Sequence, residues 1–206
     1  MNKINYSIYL VTDTNAVKDK TLAEAVEEAI KGGVTIVQLR EKEANSRDFF
    51  EIALKIKDIT SKYNVPLIIN DRIDIALLVD AEGVHIGQQD VPLIEARKIL
   101  GPNKIIGLSA SSLDEAIKGE IEGANYLGVG AIFPTSTKKD AKKNSIENLI
   151  RIKQKISIPI VAIGGININN IDKISQTGVD GAAMVSAILG SKNIKEETRN
   201  IKNIWF

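Results

Sequence analysis

The chain spaces its chemistry in short packets. Gln38, Arg40 and Lys42 alternate over a few residues, Asn70 and Asp71 are adjacent, and Asp90 follows Gln88 and Gln89. Ser109 stands apart, Thr135, Ser136, Thr137 and Lys138 are consecutive, and Gly164-Gly165 and Val185-Ser186 come later. Hydroxyls, glycines and cations packed this closely suit a phosphate. Glycine lets backbone N–H groups approach it, and Lys and Arg neutralise it. Two aspartates without histidine or cysteine partners point to a hard cation. Magnesium takes oxygen ligands, keeps several waters and bridges carboxylates to substrate phosphates. Asp71 and Asp90 would hold it beside a diphosphate, with Arg40, Lys42 and Lys138 offsetting the remaining negative charge. Taken singly, each packet also has a plain structural reading: Arg40 as a salt-bridge partner at a strand end, Asp71 and Asp90 as helix N-caps, Gly-Gly as a turn.

The elements that must position these residues favour function. Eight runs rich in β-branched residues read as strands: 7–13, 34–40, 66–71, 83–87, 104–109, 125–130, 159–165 and 181–186. Helical patterns lie between them. The segment 21–33 opens with a capping box, Thr21 with Glu24, and stops at Gly32-Gly33. Residues 49, 52, 53, 56 and 59 form an apolar stripe at helical spacing. A second box pairs Ser112 with Glu115, and a helix in 169–178 ends at Gly178. Strand–helix alternation with continuously apolar strands predicts a parallel sheet buried on both faces. Eight such units fit a single-domain (β/α)8 barrel spanning residues 1–206. A doubly wound sheet is the rival, disfavoured because no Gly-rich turn follows the first strand.

In a parallel barrel every strand points its C-terminal end at the same rim, where barrel active sites lie. Gln38, Arg40, Asn70, Asp71, Ser109, Gly165 and Ser186 are all at or just after predicted strand ends, and Lys42 joins them if the second strand runs on. The loops after strands seven and eight, with helices expected to open near Asn167 or Asn169 and at Val185-Ser186, match the usual barrel phosphate site. The last of these is expected to be the final helix. His85, the only histidine, reads as a packed strand residue with no catalytic part. Tyr6, Tyr9, Trp205 and Phe206 read as packing residues.

Composition narrows the partners. Of 206 residues, 44% are apolar and 26% charged, which is ordinary for a globular chain, and the net charge of +1 provides no field for nucleic acid or an anionic membrane. With no cysteine, disulfides, thiolate metal sites and a cysteine nucleophile are excluded. The opening MNKINYSIYLVTD lacks the apolar core of a signal peptide, and no apolar run is long enough to span a bilayer. The expectation is a soluble cytoplasmic enzyme acting on small molecules. Whether it forms a homo-oligomer is left open by the sequence.

Seven segments in this order resemble the thiamine phosphate synthase (thiamine-phosphate pyrophosphorylase) family: VQLREK (37–42), IINDRIDIAL (68–77), GVHIGQQD (83–90), GLSASS (107–112), YLGVGAIFPTSTKKD (126–140), IPIVAIGGI (158–166) and VDGAAMVSAI (179–188). The resemblance implies a magnesium-dependent transferase on a (β/α)8 barrel. It would join hydroxymethylpyrimidine diphosphate to hydroxyethylthiazole phosphate, releasing pyrophosphate. It assigns Gln38, Arg40, Lys42, Asn70, Ser109 and Lys138 to the diphosphate substrate, with Arg40, Lys42, Lys138 and Ser109 as the catalytic group. It assigns Asp71 and Asp90 to magnesium, and Thr135, Ser136, Thr137, Gly165, Val185 and Ser186 to the thiazole phosphate. One departure is Ser111, where many relatives have histidine. The rivals are a thiazole tautomerase on the same fold, a sugar-phosphate barrel enzyme and a non-catalytic phosphate sensor. Asn70, Asp71, Asp90 and Lys138 argue against the first, and the lack of an acid/base pair other than Asp71 and Asp90 argues against the second.

Overall fold

β-Branched runs too short to stand alone become stable by pairing edge to edge until no edge remains. In the computed structural model, which describes residues 4–135 and 144–206, the strands are β1 (Ile8–Val11), β2 (Ile36–Leu39), β3 (Leu67–Asn70), β4 (Gly83–Ile86), β5 (Ile105–Ala110), β6 (Tyr126–Val129), β7 (Ile160–Ile163) and β8 (Gly181–Met184). They pair in parallel in sequence order, and β8 closes on β1 through Ile8↔Ala182, Tyr9↔Ala183 and Leu10↔Met184. The expected (β/α)8 barrel is therefore present. Around it lie α1 (Leu22–Gly32), α2 (Ser46–Lys62), α3 (Ile73–Leu78), α4 (Leu93–Leu100), α5 (Leu113–Ile121), α6 (Ile146–Lys153), α7 (Ile171–Ser175), α8 (Ser186–Leu189) and α9 (Ile194–Trp205).

The period-two alternation of a strand sorts side chains into two cores. Ile8, Leu10, Val37, Leu39, Leu67, Ile69, Val84 and Ile86 face outward into the layer beneath the helices. Tyr9, Val11, Ile36, Ile68, Tyr126, Val161 and Ala183 face inward and fill the barrel. Two glycines make room for the largest interior groups. A Cβ on Gly107 would overlap the Tyr126 ring, and one on Gly128 would come within 2.9 Å of His85 Cε1.

The face opposite the rim is held by a repeated device. The residue before each even-numbered strand accepts a hydrogen bond from an N–H at the start of the preceding odd one. Thr35 Oγ1 accepts from Ile8 (3.2 Å), Glu82 Oε2 from Leu67 (2.8 Å), Asn125 Oδ1 from Ile106 (2.8 Å) and Asp180 Oδ2 from Ile160 (2.9 Å). Lys57 and Lys153 pair with Glu82 and Asp180, each at 2.6 Å. Polar groups that satisfy strand-end donors contribute stability at this face and leave the other free for chemistry.

Several boundaries differ from expectation. The strands are shorter: β2 stops at Leu39, so Arg40 lies just past it and Lys42 in the following turn, not on a continued strand. The Thr21–Glu24 box is complete. At α5, Ser112 caps the Glu115 N–H, but the Glu115 carboxylate reaches back to the N–H and hydroxyl of Ser111 (2.6 and 2.8 Å), one residue earlier than a box requires. The helix expected near Asn167 or Asn169 starts at Ile171, because Asn167 and Asn170 use their side chains to close a turn first. Ser186 opens α8, yet α8 is not the last helix; α9 follows and packs on α1. Tyr6 and Tyr9 are buried and Trp205 is partly so, whereas Phe206 is 75% exposed.

Gly107→Ala is expected to cost about 1–3 kcal/mol through overpacking against Tyr126. For a chain of this length that lowers Tm by about 2–4 °C per kcal/mol. A melt identical to that of the unsubstituted protein would mean that Tyr126 does not occupy this space.

Candidate active site

Arg40, Asp71 and Asp90 are each fixed by a hydrogen bond made just past a strand. Arg40 leaves β2 with its N–H donated to Thr12 Oγ1 (2.9 Å), and Thr12 is fully buried after β1. Among the described residues neither Arg40 nor Lys42 makes an ion pair, so the salt-bridge reading of Arg40 fails and both charges stay available to a ligand.

Asp71 follows β3 at φ +61°, a left-handed conformation that Asp tolerates better than most L-residues. Its N–H donates to the His85 carbonyl (2.9 Å), which extends the β3–β4 ladder by one bond and turns the chain. Asp90 folds back over the end of β4: its Oδ2 accepts from the Gly87 N–H at 2.7 Å. Neither aspartate caps a helix, since the residues before α3 and α4 are Arg72 and Pro92. Instead the two carboxylates face one another. Burial, first, and the Asp90 charge, second, raise the Asp71 carboxyl to about 6, while Lys42 and a hydrogen bond from Asn70 act in the opposite direction. Asn70, Asp71, Asp90 and Lys42 thus come together from three different loops.

Gln38 and Ser109 face the barrel interior at its mouth. Gln38 Nε2 donates to Tyr9 Oη (2.8 Å), and Ser109 Oγ lies 2.9 Å from His85 Nε2. Gln88 Nε2 donates to the Ser109 carbonyl (2.7 Å), tying the β4 loop to β5.

The loops after β6 and β7 are joined backbone to backbone. Ile132 N–H donates to the Ile163 carbonyl and Phe133 N–H to that of Gly164, each at 3.0 Å. Gly164 and Gly165 have φ of +103° and +63°, and a Cβ on Gly165 would meet Phe133 and Pro134. Glycine is required here both by conformation and by contact. Thr135 follows Pro134 in sequence, while Asn167 and Asn170 donate to the Gly165 carbonyl (3.2 and 3.0 Å). Val185 packs on the interior core and precedes α8, in which Ser186 is the first residue. Ser136, Thr137 and Lys138 lie outside the described residues.

Ser111 turns its hydroxyl toward Glu115 and its carbonyl accepts from Asn144 (3.2 Å). The departure thus serves the start of α5. Sequence reasoning missed Tyr9 and Tyr126, which link Gln38 to His85. Their signal was the interior phase of β1 and β6 together with small residues at Gly107 and Gly128. A largely apolar concavity between α3 and α4, lined by Ile73, Leu77, Val91 and Ile99, reaches the site only at Asp71; its one arginine, Arg72, is paired with Asp74 at 2.6 Å. No helix among the described residues is long and apolar enough to cross a membrane.

The described rim brings together a carboxylate pair, the cations Arg40 and Lys42 and a glycine-rich junction between two loops. Comparison with known proteins identifies the family. The model of the thiamine monophosphate synthase family matches residues 8–188. The thiamine-phosphate synthase of Clostridium acetobutylicum is 57% identical over 97% of this chain and 94% of its own. That of Clostridium tetani is 56% identical over 98% and 97%. The solved structure of thiamine phosphate pyrophosphorylase from Pyrococcus furiosus superposes with a TM-score of 0.91 at 40% identity, covering 98% of this chain and 96% of the other. A geranylgeranylglyceryl phosphate synthase from Thermoplasma acidophilum, at 17% identity and a TM-score of 0.71, shares the fold alone. With its length matched from the first strand to the last barrel loop, the chain belongs to the thiamine monophosphate synthase family of enzymes.

Proposed function

We propose that the protein condenses hydroxymethylpyrimidine diphosphate with hydroxyethylthiazole phosphate, giving thiamine phosphate and pyrophosphate. The observation that carries this reading is the Asp71–Asp90 pair near Arg40 and Lys42, which make no ion pair among the described residues, in a chain of this family. A tautomerase acting on the thiazole phosphate alone has no use for that assembly.

The donor set fits magnesium. Two carboxylates lie together, and burial and then the Asp90 charge raise the Asp71 carboxyl although Lys42 acts against them. No cluster of three or more His, Cys, Asp or Glu among the described residues forms a protein-only cage. That suits an ion completing its shell with water and diphosphate oxygens. Asp71 and Asp90 would hold it, and when bound it would stabilise negative charge on the leaving pyrophosphate.

The chain's own residues do the rest. Arg40, Lys42 and Lys138 bind and orient the diphosphate, and Asn70 supports it beside Asp71. Gln38 and Ser109 meet the pyrimidine end at the barrel mouth. Thr135, Ser136, Thr137, Gly165, Val185 and Ser186 seat the thiazole phosphate so that its ring nitrogen faces the exocyclic methylene carbon. In the dissociative order that we infer, the methylene C–O bond breaks first, its electron pair leaves with pyrophosphate, and the thiazole nitrogen lone pair forms the new C–N bond. That nitrogen carries no proton, so no general base is needed. Electrostatic stabilisation of the leaving group and positioning supply the acceleration.

Purified protein with both substrates and magnesium is expected to release thiamine phosphate and pyrophosphate in equal amounts, and neither without the metal. Binding of thiazole phosphate with no product would instead favour the tautomerase or sensor reading. Asp71→Asn, which keeps a residue tolerant of left-handed backbone, is expected to lower turnover by at least about 100-fold.

The pH dependence follows from the sign of the shift. Because the folded-state pKa lies above the ordinary carboxyl value of 3.8, ionised Asp71 is less favourable in the folded chain than in the unfolded one. The metal-free protein therefore loses stability as pH rises from about 4 to about 6. Thermal melts should show that loss in the unsubstituted protein and not in Asp71→Asn. Magnesium should raise Tm at pH 7.5 more than at pH 5, where protons compete for the pair. A magnesium response in the variant equal to that of the unsubstituted protein would refute the assignment of Asp71.

A further inference from the structure

Five side chains on five strands form one hydrogen-bonded chain across the barrel interior. Gln38 Nε2 donates to Tyr9 Oη (2.8 Å), and Tyr9 Oη lies 2.7 Å from Tyr126 Oη. Tyr126 Oη lies 2.9 Å from His85 Nδ1, and His85 Nε2 lies 2.9 Å from Ser109 Oγ. Gln38 and Ser109, at the ends, are rim residues; Tyr9 and Tyr126, between them, are 1% and 0% exposed.

Such a chain can carry its protons in only one sense at a time. Each phenol has one hydrogen, and neutral imidazole has one N–H. Since Tyr9 accepts from Gln38, its own hydrogen goes to Tyr126. The Tyr126 hydrogen then goes to His85 Nδ1, which leaves the imidazole hydrogen on Nε2, directed at Ser109 Oγ. Both phenols keep their hydrogens throughout the working pH range, because burial drives their pKa values far above the usual one.

The two ends then differ in character. Ser109 Oγ is already an acceptor toward His85, so its own hydrogen is directed elsewhere. Among the described residues no buried side-chain nitrogen or oxygen lacks a hydrogen-bond partner. The Gln38 Oε1, which has no partner among the described residues, is therefore the part of this 5%-exposed residue that is open at the barrel mouth.

We propose that this chain is polarised from Gln38 to Ser109 and sets what the rim presents to the pyrimidine: an amide acceptor at Gln38 and a hydroxyl donor at Ser109. Tyr9, Tyr126 and His85 are positioning residues for specificity. The choice of ring rests on the proposed function; the polarity of the chain does not. A ring offering an exocyclic amino donor and an unprotonated ring nitrogen matches both ends. A 4-oxo pyrimidine, with a carbonyl in place of the amino group and a hydrogen on the ring nitrogen, mismatches both.

The single histidine makes the test direct, because its imidazole 15N signals need no assignment by mutation. In ligand-free protein at pH 7.5, His85 is expected as one neutral tautomer with hydrogen on Nε2. The Nδ1–H tautomer, or an imidazole protonated on both nitrogens, would overturn the proposal. Tyr9→Phe cuts the chain between Gln38 and Tyr126 and is expected to give a mixture of tautomers. In kinetics it should lower kcat/KM for the pyrimidine diphosphate by about 10- to 100-fold, leave KM for the thiazole phosphate unchanged, and weaken the at least about 100-fold rejection of the 4-oxo analogue expected of the unsubstituted protein. An unchanged tautomer and unchanged rejection in Tyr9→Phe would also overturn it. Should that variant not fold, Tyr126→Phe breaks the next link with the same expectations. The expected tautomer in a protein that forms no thiamine phosphate would sink the proposed activity and leave the polarised chain standing.

Discussion

Closure of the barrel is the constraint on which the rest of this structure depends. Strands of four to six residues have little stability as open sheets, but a parallel ring pairs every edge. Closure forces two further results. Every strand is buried on both faces, which demands apolar residues in nearly every position. And all C-terminal ends share one rim, so residues far apart in sequence are delivered to one place without any long-range design beyond the ring itself. The opposite face carries the polar clamps from Thr35, Glu82, Asn125 and Asp180, which separates the stabilising groups from the reactive ones.

The same logic explains what could be read in advance. The eight strands and the rim were legible because β-branched runs and strand ends are local signals. So was the Thr21–Glu24 box, whose partners are three residues apart. Exact ends were not. β2 stops at Leu39 because the chain turns to meet Thr12, a partner on another strand. Glu115 chose Ser111 over Ser112 by the geometry of the turn into α5, which the four-residue pattern does not encode. The Asp71–Asp90 pairing was legible as a chemical preference, yet its physical basis, a left-handed residue meeting a folded-back β4 loop, needed the structure. His85 reads correctly as a packed residue. That it is packed against Tyr126, 41 residues away, is tertiary information.

Asp71 shows how function is set against stability. Its backbone is left-handed, its carboxyl is half-buried, and a second carboxylate faces it. Each feature costs stability in an isolated fold. Together they make a pair of carboxylates whose repulsion is relieved by protonation or, under the proposed function, by the bound ion. Among the described residues the Arg40 and Lys42 charges are likewise left without ion-pair partners. A chain selected for stability alone would pair Arg40 and Lys42 with carboxylates and let Asp71 and Asp90 cap α3 and α4.

The interior hydrogen-bond chain follows from the same geometry. An apolar barrel interior would hold Ile and Val without difficulty, as it does at Ile36, Ile68 and Val161. Phenols and an imidazole there are tolerable only when every donor and acceptor is matched, since a partly satisfied buried network is worse than an apolar core. The matching extends inward from the rim: Gln38 and Ser109 need partners beneath them to hold one orientation, Tyr9 and His85 supply those partners, and Tyr126 joins the two. Gly107 and Gly128 remove the side chains that would obstruct that join. The polar interior is thus an extension of the site into the fold, and its depth is set by how far the rim's side chains must be supported before the apolar core resumes.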